Sequence, residues 1–294
     1  MTTRNPAQLK ALFKKMATEK NLSAQLIMQN YMMERFLERL SLSNYRENFI
    51  LKGGFLIAAI VGLDSRATRD LDATVRGLTL THDSIRSVFS SICGVDAGDQ
   101  VTFSVSRTTD IREADDYPGI RVSLTASFPP LIVPMSVDVT AGDKITPRAI
   151  EYTFSLMFDA RSISVLAYNL ETILAEKLET ILSRNIANTR PRDFYDVYIL
   201  YTLCGSECNR AVLQAALGET AVKRGSVAVL RQYESIVTNI KSSSSLRAFW
   251  SRYQKDFDYA KDISFDDACD AILTVLTEAC AAGRSPFPPN QGNQ

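Results

Sequence analysis

Between Leu51 and Val75 the chain reads LKGGFLIAAIVGLDSRATRDLDATV, an apolar run broken at Gly53-Gly54 and closed by Asp70-Leu71-Asp72. In a strand, residues i and i+2 share a face, so the two carboxylates project together while Leu71 turns into the core. Adjacent carboxylates repel unless a cation lies between them, and all-oxygen ligation is what Mg²⁺ and Mn²⁺ select. The glycine pair upstream gives backbone room to approach phosphates. Taken alone, D-x-D also fits a solvated strand end. The glycines and two later signals weigh against that.

Composition narrows the classes. The charged residues balance, 33 basic against 33 acidic, so net charge does not mark a nucleic-acid binder, although Lys and Arg are denser in residues 1–52 and 223–256. Five cysteines and one histidine argue against a zinc site and favour free thiols in a reducing compartment. The single histidine, His82, stands in a polar turn-like THDS, away from any nucleophile motif, which disfavours histidine-dependent catalysis. No signal-peptide core opens the chain and no apolar run reaches membrane-spanning length, so a cytoplasmic protein is expected.

Periodicity divides the chain. Asn5-Pro6 opens a helix carrying Leu9, Leu12, Phe13 and Met16; after a break at 21–23, a second carries Ile27, Tyr31, Phe36 and Leu40. Residues 53–62 read as a helix behind a sheet, and 84–93 as another. Alternation marks strands at 70–75, 101–106, 119–128, 131–143, 149–158 and 162–168, with READDYPG as a polar turn. On 131–143, Met135, Val137 and Val139 share one face. Asp138 lies on the other, either a surface carboxylate at a strand end or a third ligand beside Asp70 and Asp72.

After Tyr168 the pattern turns helical. Lys177 falls on the apolar stripe of Ile173, Leu174, Leu178 and Ile181, and either snorkels to the rim or meets an anion. Glu176 and Glu179 lie off the stripe and read as solvated. Pro191 starts a helix on which Asp193 and Asp196 share a face; Asp193 either complements the helix dipole or positions a partner. Amphipathic helix follows, interrupted by a 242–245 serine loop. The expected domains are 1–168, a mixed sheet with flanking helices, and 169–282, all helical, with 283–294 a disordered tail.

These pieces resemble a known family. Gly53-Gly54, Asp70-x-Asp72 and Asp138 resemble the polymerase-β-like nucleotidyltransferases. LKGGFLIAAIVGLDSRATRDLD, VDVTAGDKITP, ETILAEK (171–177) and RPRDFYDVYIL (190–200) resemble, in order, four motifs of AbiEii/AbiGii-type toxins. The resemblance implies an α+β nucleotidyltransferase domain followed by an all-helical domain. It also implies the toxin of a toxin–antitoxin, phage-defence pair that transfers NMP from an NTP, most of all to the tRNA 3′ end, blocking translation.

By the same resemblance Asp70, Asp72 and Asp138 hold Mg²⁺ or Mn²⁺. Lys177 neutralises triphosphate charge, and Asp193 orients Lys177 or the nucleotide. Gly53 and Gly54 cradle the phosphates, joined by Thr68, Arg66 and Arg69, although either arginine also reads as surface charge. Phe55 stands where this family often has a hydroxyl residue, leaving backbone N–H groups to serve the terminal phosphate. A winged-helix antitoxin encoded nearby is the expected partner. Asp70→Ala or Lys177→Ala is expected to abolish transfer with the fold intact. The rival readings are transfer to a small molecule or protein, and a catalytically silent binding partner.

Overall fold

The computed structural model describes residues 5–111 and 119–281; the expected polar turn before Gly119 and the disordered tail lie outside the described residues. The chain divides into two compact units. Of the described residues, one unit takes those up to Asp143 together with Ala149–Ala167; the other takes Lys144–Arg148 and those from Tyr168 onward.

The first unit opens with α1 (Pro6–Glu19). Asn5 accepts from the Gln8 amide, Gln8 returns the contact to the Asn5 amide, and Pro6 fills the first helical position. Ser23 caps α2 (Ala24–Leu42). This helix is buried almost all round in its second half, and its charged residues are buried with it. Arg35 bridges Glu34 and Glu38 at 2.7 and 2.6 Å, and Arg39 takes both oxygens of Asp99. Buried charges survive only when paired, and each of these is.

Among the described residues, seven strands form one mixed sheet: β1 (Phe49–Lys52), β2 (Leu71–Val75), β3 (Thr102–Ile111), β4 (Gly119–Phe128), β5 (Leu131–Ala141), β6 (Ile150–Ser155) and β7 (Ser162–Ala167). Their order is β3-β4-β5-β2-β1-β7-β6, with β2·β5 and β1·β7 parallel and the other neighbours antiparallel. The segment before Gly53 is thus itself a strand near the sheet's centre, too short and too uniformly apolar to show alternation. Two helices connect strands: α3 (Gly53–Val61) and α4 (His82–Cys93). His82 is the first residue of α4 and bonds Thr108 and Asp110, correcting its placement in a turn. One core gathers Phe36 of α2, Phe49 of β1, Phe89 of α4 and Phe103 of β3, with ring centroids 5.6–5.8 Å apart.

The second unit contains α5 (Leu170–Arg184), α6 (Pro191–Cys204), α7 (Arg210–Lys223), α8 (Val227–Leu230), α9 (Tyr233–Ser242), α10 (Ser244–Asp256) and α11 (Phe265–Ala281). Asn169 caps α5 and also donates to the Thr146 and Arg148 carbonyls, tying in the segment Lys144–Arg148. The expected serine loop shrinks to one residue: Ser243 ends α9 and caps α10. Glu179 is buried rather than solvated, because Arg224 and the Ser183 hydroxyl neutralise and satisfy it. The described cysteines are free thiols, and burial pushes Cys93 up to about 11 and Cys269 up to about 12.

Candidate active site

The carboxylates of the first unit are brought together by strand register. Asp72 and Asp138 are direct partners on the parallel strands β2 and β5, so they share a face. Asp70 lies just ahead of β2, two residues from Asp72. On the outer side, Arg121 of β4 is the partner of Asp138; on the inner side, Lys52 of β1 is the partner of Asp72. One row therefore crosses four adjacent strands: Arg121, Asp138, Asp72, Lys52, a positive charge at each end and two negative ones between.

Each member has a defined setting. Arg121 grips Asp138 at two points, Nε to Oδ1 and Nη2 to Oδ2, both 2.7 Å. That hydrogen bond, against partial burial, holds the guanidinium above the usual arginine range, and the charges of Asp138, Asp70 and Asp72 add to it. Lys52 is paired with Asp143, whose Oδ2 also accepts from the Thr140 hydroxyl at 2.8 Å. The sequence carries no signal for Arg121 or Lys52; only the cross-strand register reveals them.

The glycine pair sits on this row. Gly53, the first residue of α3, has φ +67°, and a Cβ there would lie 2.1 Å from Asp72 Oδ2. Glycine is required twice over, for the left-handed backbone and for the approach to the carboxylate. Gly53→Ala is expected to destabilise the first unit by about 1–3 kcal/mol through strain alone and to displace the Asp72 carboxylate. A melting temperature within 1 °C of the parent protein would contradict this. At Gly54, a Cβ would lie 2.9 Å from the Thr68 hydroxyl and 3.4 Å from Arg66 Nη2. Thr68 and Arg66 are both buried against this turn, whereas Arg69 is exposed. Phe55 packs inward on Phe154, ring centroids 6.0 Å apart.

The second unit has its own cluster. Lys177 Nζ lies 2.6 Å from Asp193 Oδ1 and 2.8 Å from Asp196 Oδ2, both carboxylates being fully buried. Arg190 adds an ion pair to Asp193 at 3.0 Å. Burial works to lower the lysine pKa, but the charges of Asp196 and then Asp193 outweigh it and hold the ammonium above its usual range. The i, i+3 spacing on α6 makes the clamp, so Asp193 positions Lys177, and Asp196 shares that work.

A model of the AbiEii nucleotidyltransferase toxins of type IV toxin–antitoxin systems matches residues 35–271. The chain belongs to this family. It is an AbiEii-type nucleotidyltransferase, and membership implies a nucleoside triphosphate as substrate and a cognate antitoxin as partner. No curated protein matches it. Solved structures similar to it include a nucleotidyltransferase candidate from Helicobacter pylori, 14% identical over 90% of this chain and 100% of that one, with a TM-score of 0.48. JHP933 from Helicobacter pylori is 13% identical over 88% and 94%, TM-score 0.48. An antigenic nucleotidyltransferase-like protein from Paracoccidioides brasiliensis is 16% identical over 62% and 82%, TM-score 0.37.

The family usually employs a divalent metal. The chemistry of this AbiEii-type chain fits one: Asp72 and Asp138 offer hard carboxylate oxygens on one sheet face, Asp70 lies two residues ahead of Asp72, and the Arg121 guanidinium stands on Asp138 as a cation. Among the described residues, no three acidic, histidine or cysteine side chains are grouped closely enough to hold a metal ion. No helix among them is long and apolar enough to cross a membrane.

Proposed function

We propose that this toxin transfers a nucleotide from an NTP to the 3′ end of tRNA in a Mg²⁺- or Mn²⁺-dependent reaction, blocking translation in the cytoplasm as part of phage defence. The observation that supports the reading is the register that sets Asp72 beside Asp138 on one face of the sheet, with Asp70 two residues ahead, next to the Gly53 turn at the start of α3. Asp70, Asp72 and Asp138 would hold the ion. When bound it supplies charge stabilisation at the transferring phosphorus and a lowered pKa for the attacking hydroxyl.

The protein's own groups do the rest. Gly53 and Gly54 present backbone N–H groups at a helix start, where anions are favoured. Thr68 lies against that turn and offers a hydroxyl in the place where Phe55 has none; Arg66 and Arg69 supply further positive charge nearby. Lys177, held charged by Asp193 and Asp196, is assigned to the triphosphate on the strength of its motif and of that clamp. The antitoxin is assigned to the winged-helix type by the sequence resemblance.

The test is incubation of the purified chain with Mg²⁺, total tRNA and each α-labelled NTP, with Asp70→Ala beside it. Label on tRNA from one nucleotide, absent in the variant, is the expected result. Label on protein or on a small molecule instead would move the acceptor. No transfer to any acceptor would remove the enzymatic reading.

A further inference from the structure

The row across the sheet contains a competition. Asp138 is needed by a divalent ion, yet Arg121 already engages both of its oxygens, each at 2.7 Å. A guanidinium and a divalent ion on one carboxylate repel each other, and the side chain that is cheaper to move gives way. The two cations of the row differ in this respect. Lys52 is 15% exposed and paired with Asp143, itself 12% exposed and bonded to Thr140. Arg121 is 43% exposed, and Nη1 has no hydrogen-bond partner among the described residues. Leaving Asp138 would therefore break no other side-chain hydrogen bond of Arg121 among the described residues.

We propose that Arg121 is an internal counter-ion that competes with the divalent ion for Asp138, sets the affinity of the site, and is released when the ion binds. The proposal rests on the reading of Asp70, Asp72 and Asp138 as the ion's carboxylates. Release has a chemical consequence. A planar guanidinium freed beside the carboxylates is suited to take phosphate oxygens in the two-point manner in which it had held Asp138. Arg121 is thus a positioning residue in one state and a phosphate ligand in the other, and ion loading couples the two.

The experiment uses the full chain and Mn²⁺ alone, with free Mn²⁺ followed by electron paramagnetic resonance. Arg121→Met is expected to tighten Mn²⁺ binding about tenfold, because no pair has to be broken. Asp138→Asn alone should change affinity by less than about threefold, since the lost ligand and the lost competitor offset each other. In the Arg121→Met background the same asparagine should weaken binding about tenfold, so the cycle is strongly non-additive. Arg121→Lys keeps the charge but loses the two-point grip, and should tighten Mn²⁺ nearly as far as the methionine does.

An additive cycle, with the lysine variant behaving as the parent chain, would reduce Arg121 to a distant charge and overturn the proposal. Weaker Mn²⁺ binding in Arg121→Met would also overturn it, by showing that the arginine holds Asp138 ready for the ion. So would Mn²⁺ binding to none of the variants. Because no nucleotide is present, failure of nucleotide transfer leaves this result standing, and the reverse holds as well.

Discussion

Asp72→Asn is expected to lower nucleotide transfer by about a thousandfold or more, the loss of several kcal/mol of charge stabilisation at the transferring phosphorus. Asp72 occupies the middle of the cross-strand row, with Asp138 on one side, Lys52 on the other and the Gly53 backbone against its carboxylate. Asparagine keeps the shape that Gly53 accommodates and removes the charge. Lys52 retains Asp143, so neither cation of the row is left without a carboxylate and the fold should persist. Circular dichroism and the melting temperature should therefore match the parent chain while label transfer disappears. A folded Asp72→Asn protein that still transfers label would take the chemistry away from this face of the sheet.

Lys177→Met is expected to damage the second unit itself. Asp193 and Asp196 are fully buried and both lie within 2.8 Å of the ammonium. Removing one partner of a buried ion pair costs about 3–5 kcal/mol, because the remaining charge has no water to turn to. Arg190 remains on Asp193, so the loss should fall toward the lower end. The melting transition should drop by about 10 °C, and adding Asp196→Asn should restore part of it. An unchanged transition would mean that the clamp does not hold the helices.

The sign of the pH dependence follows from the raised lysine pKa. The contribution of the ammonium is fully present below about pH 10.4, the unfolded value, and is lost as pH rises through the higher folded value. Activity assays of Lys177 variants consequently need a stability measurement beside them. This departs from the expectation, reasonable from sequence alone, that alanine at Lys177 would silence the enzyme without touching the fold.

The parts of this protein that were legible in its sequence are those built from local periodicity. Alternation exposed β4 and β5 and placed Asp138 opposite Val137 and Val139, while the Asn5-Pro6 and Arg190-Pro191 starts marked α1 and α6. What stayed hidden depends on partners far away along the chain. Arg121 is one of several polar residues on the open face of β4 until the β4·β5 register sets it beside Asp138. Glu179 reads as solvated until Arg224, forty-five residues on, covers it. Arg39 of α2 likewise finds its carboxylate, Asp99, only in the folded chain. Pattern reading equates charge with water, and it fails wherever tertiary contacts bring the counter-charge inside.

The segment Lys144–Arg148 belongs with the helices although strands precede and follow it. The backbone therefore passes between the two units three times: after Asp143, after Arg148 and after Ala167. A fragment ending at Tyr168 would carry away the carbonyls of Thr146 and Arg148 that receive the Asn169 amide, and the Thr146 amide that donates to Thr172. Neither half can be excised by a single cut without unstitching the start of α5. A cut at that point would leave α5 its Asn169 cap but strip from it the strap that Lys144–Arg148 lays across its start.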